Sequence, residues 1–326
     1  MQILKCGMAS IQDTGRTGYR NLGINNGGVM DRTSFALCNM LVANDLRDAL
    51  VEINGGEWVS VSDHAKLIVV GGKGYNVFAG DQQLNLWQPY FLEPGVRLKI
   101  LPLTGGGIAY LAIHGGIRIN TILGSRSTHL TAGFGGKEGR MLRTGDVLPT
   151  AILRTALAEK IVLYLHRPGM KHQLRLSNAA IPDFSRNTIR IFAAHEYSWF
   201  TPAAQTLLGT SGFELTGMSN RMGYRFNGPA LQLHHERQLL STAVLPGTIQ
   251  VSPDGQLLIL MADAQTAGGY PRIGQVISTD IPLLAQKSPG SRLQFKVITA
   301  SEAEAVYLKR EEQLANLKKD FSLIFA

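Results

Sequence analysis

Glycine punctuates this chain: 36 of its 326 residues are Gly, most of them in turns between short apolar runs. AKLIVVGGKGYNVFAGDQ, PGVRLKILPLTGGGIAYLAIHGGI and PGTIQVSPDGQLLILMADAQ show the pattern. Apolar runs of about four to seven residues bounded by Gly, Pro and Asp are short for helices and read as buried strands joined by tight turns. The fold class expected is therefore mainly β. A length of 326 residues exceeds what one hydrophobic core comfortably fills and favours two domains.

Few helices interrupt this pattern. DRTSFALCNMLVA predicts one from Asp31 to about Ala43, with apolar residues at three- and four-residue steps. A second is expected over 200–208. A third is the tail, where Ser301 and Glu304 have capping-box spacing and Tyr307, Leu314, Leu317, Phe321 and Ile324 make one apolar stripe. Its plain reading is packing on the same chain; a partner-binding helix is the alternative.

The halves share a coarse order: GIAYLAIHGGI then RTGDVLP, and QLLILMADAQTAGGY then SPGSRLQF. This predicts two related β-barrel-like domains, 1–150 and 188–300, joined by a segment over 151–187 and followed by the helix 301–326. RTGYRNLG at 16–23 and RMGYRFNG at 221–228 echo each other 205 residues apart (221 − 16), whereas the strands beginning at 109 and 258 lie 149 apart (258 − 109). A simple tandem duplication does not explain both.

Composition excludes several classes. No apolar run reaches the roughly 18 residues of a membrane span, and MQILKCGMASIQD lacks a signal peptide's apolar core, so a cytoplasmic protein is expected. Cys6 and Cys38 are too few for a disulfide framework and read as buried thiols. The net charge of +8 fits an anionic small substrate. The basic residues are scattered, without the aromatic-plus-basic clusters of nucleic-acid binders. GxxxxGK[ST], GxGxxG after a strand, HExxH (His195-Glu196 is followed by Tyr197) and GxSxG are all missing. His234, His235 and Glu236 are adjacent but lack a third ligand at a recognisable spacing, so no metal site is expected.

Four polar, Gly-rich stretches remain as candidate sites. QDTGRTGYRNLGINNGGVMDR (12–32) carries Gln12, Asp13, Arg16, Tyr19 and Arg20 and ends on Asp31. An acid there is commonly a helix cap, yet a long aperiodic loop is often functional. LGSRSTHLTAGFGGKEGR (123–140) sets Ser125, Arg126, Ser127 and Thr128 beside glycines, a donor set suited to carboxylate or phosphate oxygens, or simply a polar turn. SNRMGYRFNG supplies Asn220, Arg221 and Tyr224. DAQTAGGYPRIG (263–274) sets Gln265, Thr266 and Tyr270 beside glycines that let a ligand approach the backbone.

Taken in order, QDTGRTGYRNLG, GGVMDRTSFALCNMLVAN, AYLAIHGGI, LGSRST, GFGGKEGR, TGDVLP, SNRMGYR, PGTIQV and QTAGGYP resemble the family variously named biotin-dependent carboxyltransferase, allophanate hydrolase subunit 2, KipA and the C subunit of 5-oxoprolinase. The resemblance covers roughly residues 3 to 300. It implies tandem cyclophilin-like β-barrels. It also implies a component of an ATP-dependent 5-oxoprolinase that opens 5-oxoproline to L-glutamate together with an A subunit and a KipI-like B subunit, ATP being used by the complex. Two other activities accompany the family: biotin-dependent carboxyl transfer to urea or a similar amide, and KipA-type binding of a kinase inhibitor. The absence of a biotin-carrier segment favours the first, and the polar loops favour an enzyme over a docking protein. Two departures stand out: Ala193-Ala194 replaces the usual Gly-Pro, and Ala267 replaces a Thr, which removes a hydroxyl from the QTAGGYP stretch.

On this resemblance a lactam, a stabilised amide, needs its carbonyl oxygen phosphorylated before water attacks. Arg16, Arg126 and Arg221 are then candidates to hold carboxylate or phosphate oxygens, with Ser125 and Ser127 beside them. Asp31 is the candidate to orient or deprotonate the lactam nitrogen. Gln12, Tyr19, Asn220, Tyr224, Gln265, Thr266 and Tyr270 would line the pocket.

Overall fold

The short apolar runs become strands, and the fold is mainly β. The structure is a computed structural model that describes all residues except 152–154, 168–173, 236, 238 and 326. The chain forms two compact units. The first comprises Met1–Arg16, Asp31–Pro182 and Gln313–Ala326; the second comprises Thr17–Met30 and Asp183–Glu312.

The first unit is built on one eight-stranded sheet. Its path runs Gln82–Leu84, Tyr75–Ala79, Leu98–Pro102, Leu50–Val61, Ala109–Ile113, Lys66–Gly72, Pro89–Leu92, with Gln2–Gln12 also paired to Leu50–Val61. Every residue of Lys66–Gly72 and Ala109–Ile113 is buried, which explains why both read as unbroken apolar runs rather than alternating ones. The helix Arg32–Leu41 packs on this pair of strands. Its Cys38 lies against Gly71, where a Cβ would stand 2.5 Å from the Cys38 sulfur and 2.6 Å from the Trp87 ring. Only glycine lets helix and sheet approach this closely. Both cysteines are free thiols; burial raises Cys38 well above its ordinary value and Cys6 to about 11.

In the second unit the strands close into a barrel in the order Phe213–Leu215, Gly223–Asn227, Leu257–Leu260, Thr248–Val251, Arg272–Val276, Thr188–Ala193, Arg292–Val297 and back to Phe213–Leu215. Closure leaves no edge exposed to another chain. Inside, the Phe295 ring centroid lies 5.6 Å from that of Phe213 and 6.1 Å from that of Phe226, tilted and edge contacts that add to burial. A buried carboxylate, Asp280, holds the strand Thr188–Ala193, which runs parallel to Arg292–Val297. It accepts from Arg190 Nε at 3.0 Å, from Arg190 Nη2 and Arg186 Nη2 at 2.6 Å each, and from the Arg190 backbone N–H at 2.8 Å.

The helices adjust two expectations. The tail helix runs Ala300–Ile324, but its capping box is Thr299 and Glu302, not Ser301 and Glu304. The Glu302 amide donates to Thr299 Oγ1 at 3.2 Å, and the Thr299 amide donates to Glu302 Oε2 at 2.7 Å. Both pairs have the same spacing, and the end of the preceding strand at Val297 selects the earlier one. Of the expected stripe, Phe321 is buried and Leu314 and Leu317 are half-buried, while Tyr307 and Ile324 are exposed. Phe325 completes the buried end, its ring 5.3 Å from Phe321 and 5.7 Å from Tyr164. Tyr164 belongs to a helix, Ala156–Leu165, inside the segment expected to be a plain connection.

Glu196, considered in the sequence for a metal motif, is instead clamped by Arg272, with Nε to Oε2 at 2.6 Å and Nη2 to Oε1 at 2.7 Å. Those hydrogen bonds hold the Glu196 carboxyl below its ordinary 4.5 and raise Arg272. A depressed carboxyl stabilises the fold fully above its unfolded value, and this contribution is lost as pH falls through the folded value. Glu196→Gln should therefore lower stability by about 2 kcal/mol at neutral pH and flatten the loss below pH 4.5. Denaturant titrations at neutral and at acidic pH check both effects, and an unchanged pH dependence contradicts the assignment.

Candidate functional site

Several of the polar residues singled out in the sequence fall into two nodes, one in each unit. In the first unit the centre is Asp13, 4% exposed. Its Oδ1 accepts from the Gly15 amide at 2.8 Å and from the hydroxyls of Ser125 and Ser127 at 2.6 Å each, and its Oδ2 accepts from the Arg126 amide at 2.6 Å. The Asp13 amide donates back to Ser127 Oγ at 2.9 Å. Arg16, also buried, donates from Nη2 to the Ser127 carbonyl at 2.6 Å and lies 4.7 Å from the Phe134 ring centroid. Arg126 turns its Nε to the Ile119 carbonyl at 3.0 Å. Gln12 is buried and donates to Ser10 Oγ at 2.9 Å. The two serine hydroxyls of LGSRST thus serve to bind a carboxylate of this chain, while the Thr128 hydroxyl donates to the Ile11 carbonyl at 3.0 Å.

Asp31, in the first unit, caps the helix Arg32–Leu41. Its side chain accepts from the Ser34 amide at 2.8 Å and from the Ser34 hydroxyl, and its backbone N–H donates to Tyr110 Oη at 2.9 Å. The side chain is fully buried, so the capping role anticipated in the sequence is present in full.

The second unit's node is Arg221. It forms a bidentate pair with Asp263 at 2.7 and 3.0 Å and donates to the Gly28 carbonyl. Asn25 donates to the Asp263 carbonyl at 2.8 Å, so Thr17–Met30 is held from both ends of the ion pair. Tyr224 is buried and donates to the Ala285 carbonyl at 3.1 Å. Asn220 is exposed and accepts from the Met222 amide at 2.8 Å. Tyr19 is half-buried at the start of a short 3-10 turn, Arg20–Leu22. In the echoed stretches, Arg16 and Arg221 therefore belong to different units and have different partners.

Gln265 and Tyr270 have a different setting: both line a cleft of about 1240 Å³ in the second unit. Its apolar wall includes Phe200, Leu231 and Val251, and its polar groups include Arg237, Gln250, Asp254, Gln265 and Tyr270. Tyr270 is 43% exposed and Gln265 is exposed. Arg237 lies 5.3 Å from the Trp199 ring centroid, a stacking contact that positions a guanidinium without consuming its donors. Asp254 accepts from Ser252 Oγ at 2.5 Å, which lowers its pKa. Gln250 is 1% exposed, its Nε2 donating to the Tyr270 carbonyl at 3.4 Å. Thr266 is half-buried and its carbonyl accepts from the Val244 amide at 3.1 Å. Ala267 is exposed and pairs with Ala243 in a two-stranded ladder. Among the described residues no cluster of His, Cys, Asp or Glu fits a metal ion; Glu236 lies outside them. No helix among them is long and apolar enough to cross a membrane.

Residues 22–297 match the family described as "Carboxyltransferase domain, subdomain A and B". The chain belongs to this family. This carboxyltransferase-domain chain is 34% identical to the C subunit of the Escherichia coli 5-oxoprolinase over 96% of its own length and 95% of the relative's. It is equally 34% identical to the Haemophilus influenzae protein of that name, over 95% of each. Among solved structures it resembles the Kluyveromyces lactis urea carboxylase at 26% identity with a TM-score of 0.85, covering 97% of this chain and 29% of that one.

Sequence reasoning passes over four residues that organise these places: Asp13 as an acceptor, Asp263, Arg237 and Gln250. Gln250 had a legible signal, a lone amide inside the apolar run TIQV. Asp13 yields the clearest test. Asp13→Ala leaves the buried Ser125 and Ser127 hydroxyls and the Arg126 amide without their acceptor, and each lost acceptor costs about 1–3 kcal/mol. A loss of about 3 kcal/mol or more is expected in chemical denaturation, with Asp13→Asn recovering part of it. A melting curve like that of the wild type contradicts the node.

Proposed function

We propose that this chain is a component of an ATP-dependent 5-oxoprolinase, acting with an A subunit and a KipI-like B subunit to open 5-oxoproline to L-glutamate. The observation that carries the reading is the match, over nearly the whole of both chains, to two proteins named as the C subunit of 5-oxoprolinase. The cleft in the second unit supports it chemically. 5-Oxoproline presents a lactam N–H, a carbonyl oxygen and a carboxylate on a small ring. The cleft offers neutral amides, a phenol and one stacked guanidinium against an apolar wall. On this reading Arg237 faces the substrate carboxylate, and Gln265 and Tyr270 donate to the lactam oxygen, where negative charge gathers when the ring opens.

The lining fits ATP poorly. A triphosphate needs several cations and backbone donors, whereas the described lining has a single guanidinium and a carboxylate, Asp254. On this reading the nucleotide is not held in this cleft. Arg16, Asp31 and Arg221, each engaged inside the chain, act as positioning residues for their loops rather than at the substrate.

A second reading, carboxyl transfer from biotin to urea or a similar amide, draws on the likeness to urea carboxylase and on neutral donors that equally suit a ureido ring. A reconstitution separates the two. With the other two components of the complex, this chain is expected to be required for ATP-coupled release of glutamate from 5-oxoproline. Arg237→Ala is expected to raise KM for 5-oxoproline about tenfold with little change in kcat, the signature of a lost charged hydrogen bond to substrate. Carboxylation of urea by a biotinylated carrier, with no opening of 5-oxoproline, overturns the first reading in favour of the second.

A further inference from the structure

Gln250 is a polar side chain that barrel architecture does not need. It lies in the strand Thr248–Val251 between Ile249 and Val251, both buried. Alternation along the strand sends Ile249 to one face and Gln250 to the other. There its amide lies under the 268–271 turn. Nε2 donates to the Tyr270 carbonyl at 3.4 Å, and the orientation of the amide is assigned from that contact. Oε1 is then an acceptor, and it has no hydrogen-bond partner among the described residues. Leaving such an acceptor without a donor is unfavourable, and native exceptions call for an explanation. The neighbouring backbone is shaped to accommodate this side chain, since a Cβ on Gly268 would stand 2.6 Å from Nε2. A Leu or Met in the same strand would avoid the cost. Gln250 also lines the cleft that holds Gln265, Tyr270 and Arg237, so a ligand seated deep enough to reach the buried Oε1 supplies the missing donor.

We propose that Gln250 determines ligand specificity in this cleft, its Oε1 accepting the N–H of a cyclic secondary amide. The inference rests on the cleft being the substrate site of a 5-oxoprolinase component, and it adds the group that distinguishes a lactam from a ring of the same shape without N–H. A site built to satisfy a hydrogen bond rejects the analogue that lacks the matching group, because its own polar atom is left unpaired.

The test uses the reconstituted three-component complex and two probes: 5-oxoproline, and its carbocyclic analogue in which a methylene replaces the ring N–H. Calorimetry should show the wild type preferring the lactam by about tenfold, equivalent to about 1.4 kcal/mol. Gln250→Met, which keeps length but removes the acceptor, should bring that ratio close to one, and Gln250→Glu, which keeps an acceptor, should retain a preference. Equal binding of both probes by wild type, while ATP-coupled opening of 5-oxoproline proceeds, overturns the role of Gln250 and leaves the functional reading intact. So does an undiminished preference in a folded Gln250→Met. Failure of the wild-type complex both to bind either probe and to open 5-oxoproline overturns the two together. Should Gln250→Met not fold, the wild-type ratio and Gln250→Glu still decide.

Discussion

A single buried carboxylate organises the irregular part of the first unit. No Lys or Arg side chain among the described residues donates a hydrogen bond to Asp13; two backbone amides and two serine hydroxyls solvate it instead. Hydrogen bonds to an ionised acceptor are the strong ones, and here most of them join positions more than a hundred residues apart in sequence. Everything around them follows from that demand. Ser125 and Ser127 must face inward, so their loop presents its backbone to Arg16, whose guanidinium takes the Ser127 carbonyl and stacks on Phe134. Gly135 must then be glycine, because a Cβ there would stand 2.2 Å from that same carbonyl.

The second unit meets the same problem with an ion pair. Arg221 and Asp263 are both buried and satisfy each other in a bidentate fork, with the Gly28 carbonyl taking a further donor and Asn25 bound to the Asp263 backbone. Removing either partner leaves the other as a buried unpaired charge, which is far more damaging than the pair's net worth. The 17–30 segment is thereby held by groups from 221 and 263, remote positions in the chain. Its Gly content leaves it few side chains of its own to bury.

How far the sequence revealed this varies with the range of the interaction. Strands such as Lys66–Gly72 and Leu257–Leu260 are local events, visible as apolar runs between turn residues. The caps of Arg32–Leu41 and Pro202–Thr210 are local too, and Asp31 was legible as one. The tail's cap lies two residues earlier than expected because Thr299/Glu302 and Ser301/Glu304 have equal spacing, and only the end of the preceding strand chooses between them. Barrel closure was not legible in detail, since Phe213–Leu215 pairs with Arg292–Val297, far away in the chain. Nor was the use of Ser125 and Ser127: a hydroxyl beside glycine has the same sequence appearance whether its acceptor is a ligand or an aspartate of the same chain.

That ambiguity gives a physical criterion for separating structural from functional polar loops. The Asp13 carboxylate and the Arg221–Asp263 pair are matched within the protein, although Gln12 Oε1 and Asn25 Oδ1 beside them have no partner among the described residues, so a ligand arriving at the matched groups would have to break bonds already made in a poorly solvated setting. In the second unit's cleft the situation is reversed. Gln265 and Tyr270 stand exposed, Arg237 is positioned by stacking on Trp199, and Gln250 keeps an acceptor in the wall without a donor among the described residues. A ligand there gains hydrogen bonds without displacing internal ones, which is the energetic condition for selective recognition. Ala267 is exposed and precedes Gly268, the residue whose close approach leaves room for the Gln250 amide. The polar groups of the cleft thus stand open, while the Asp13 carboxylate and the Arg221–Asp263 pair keep their partners within the chain.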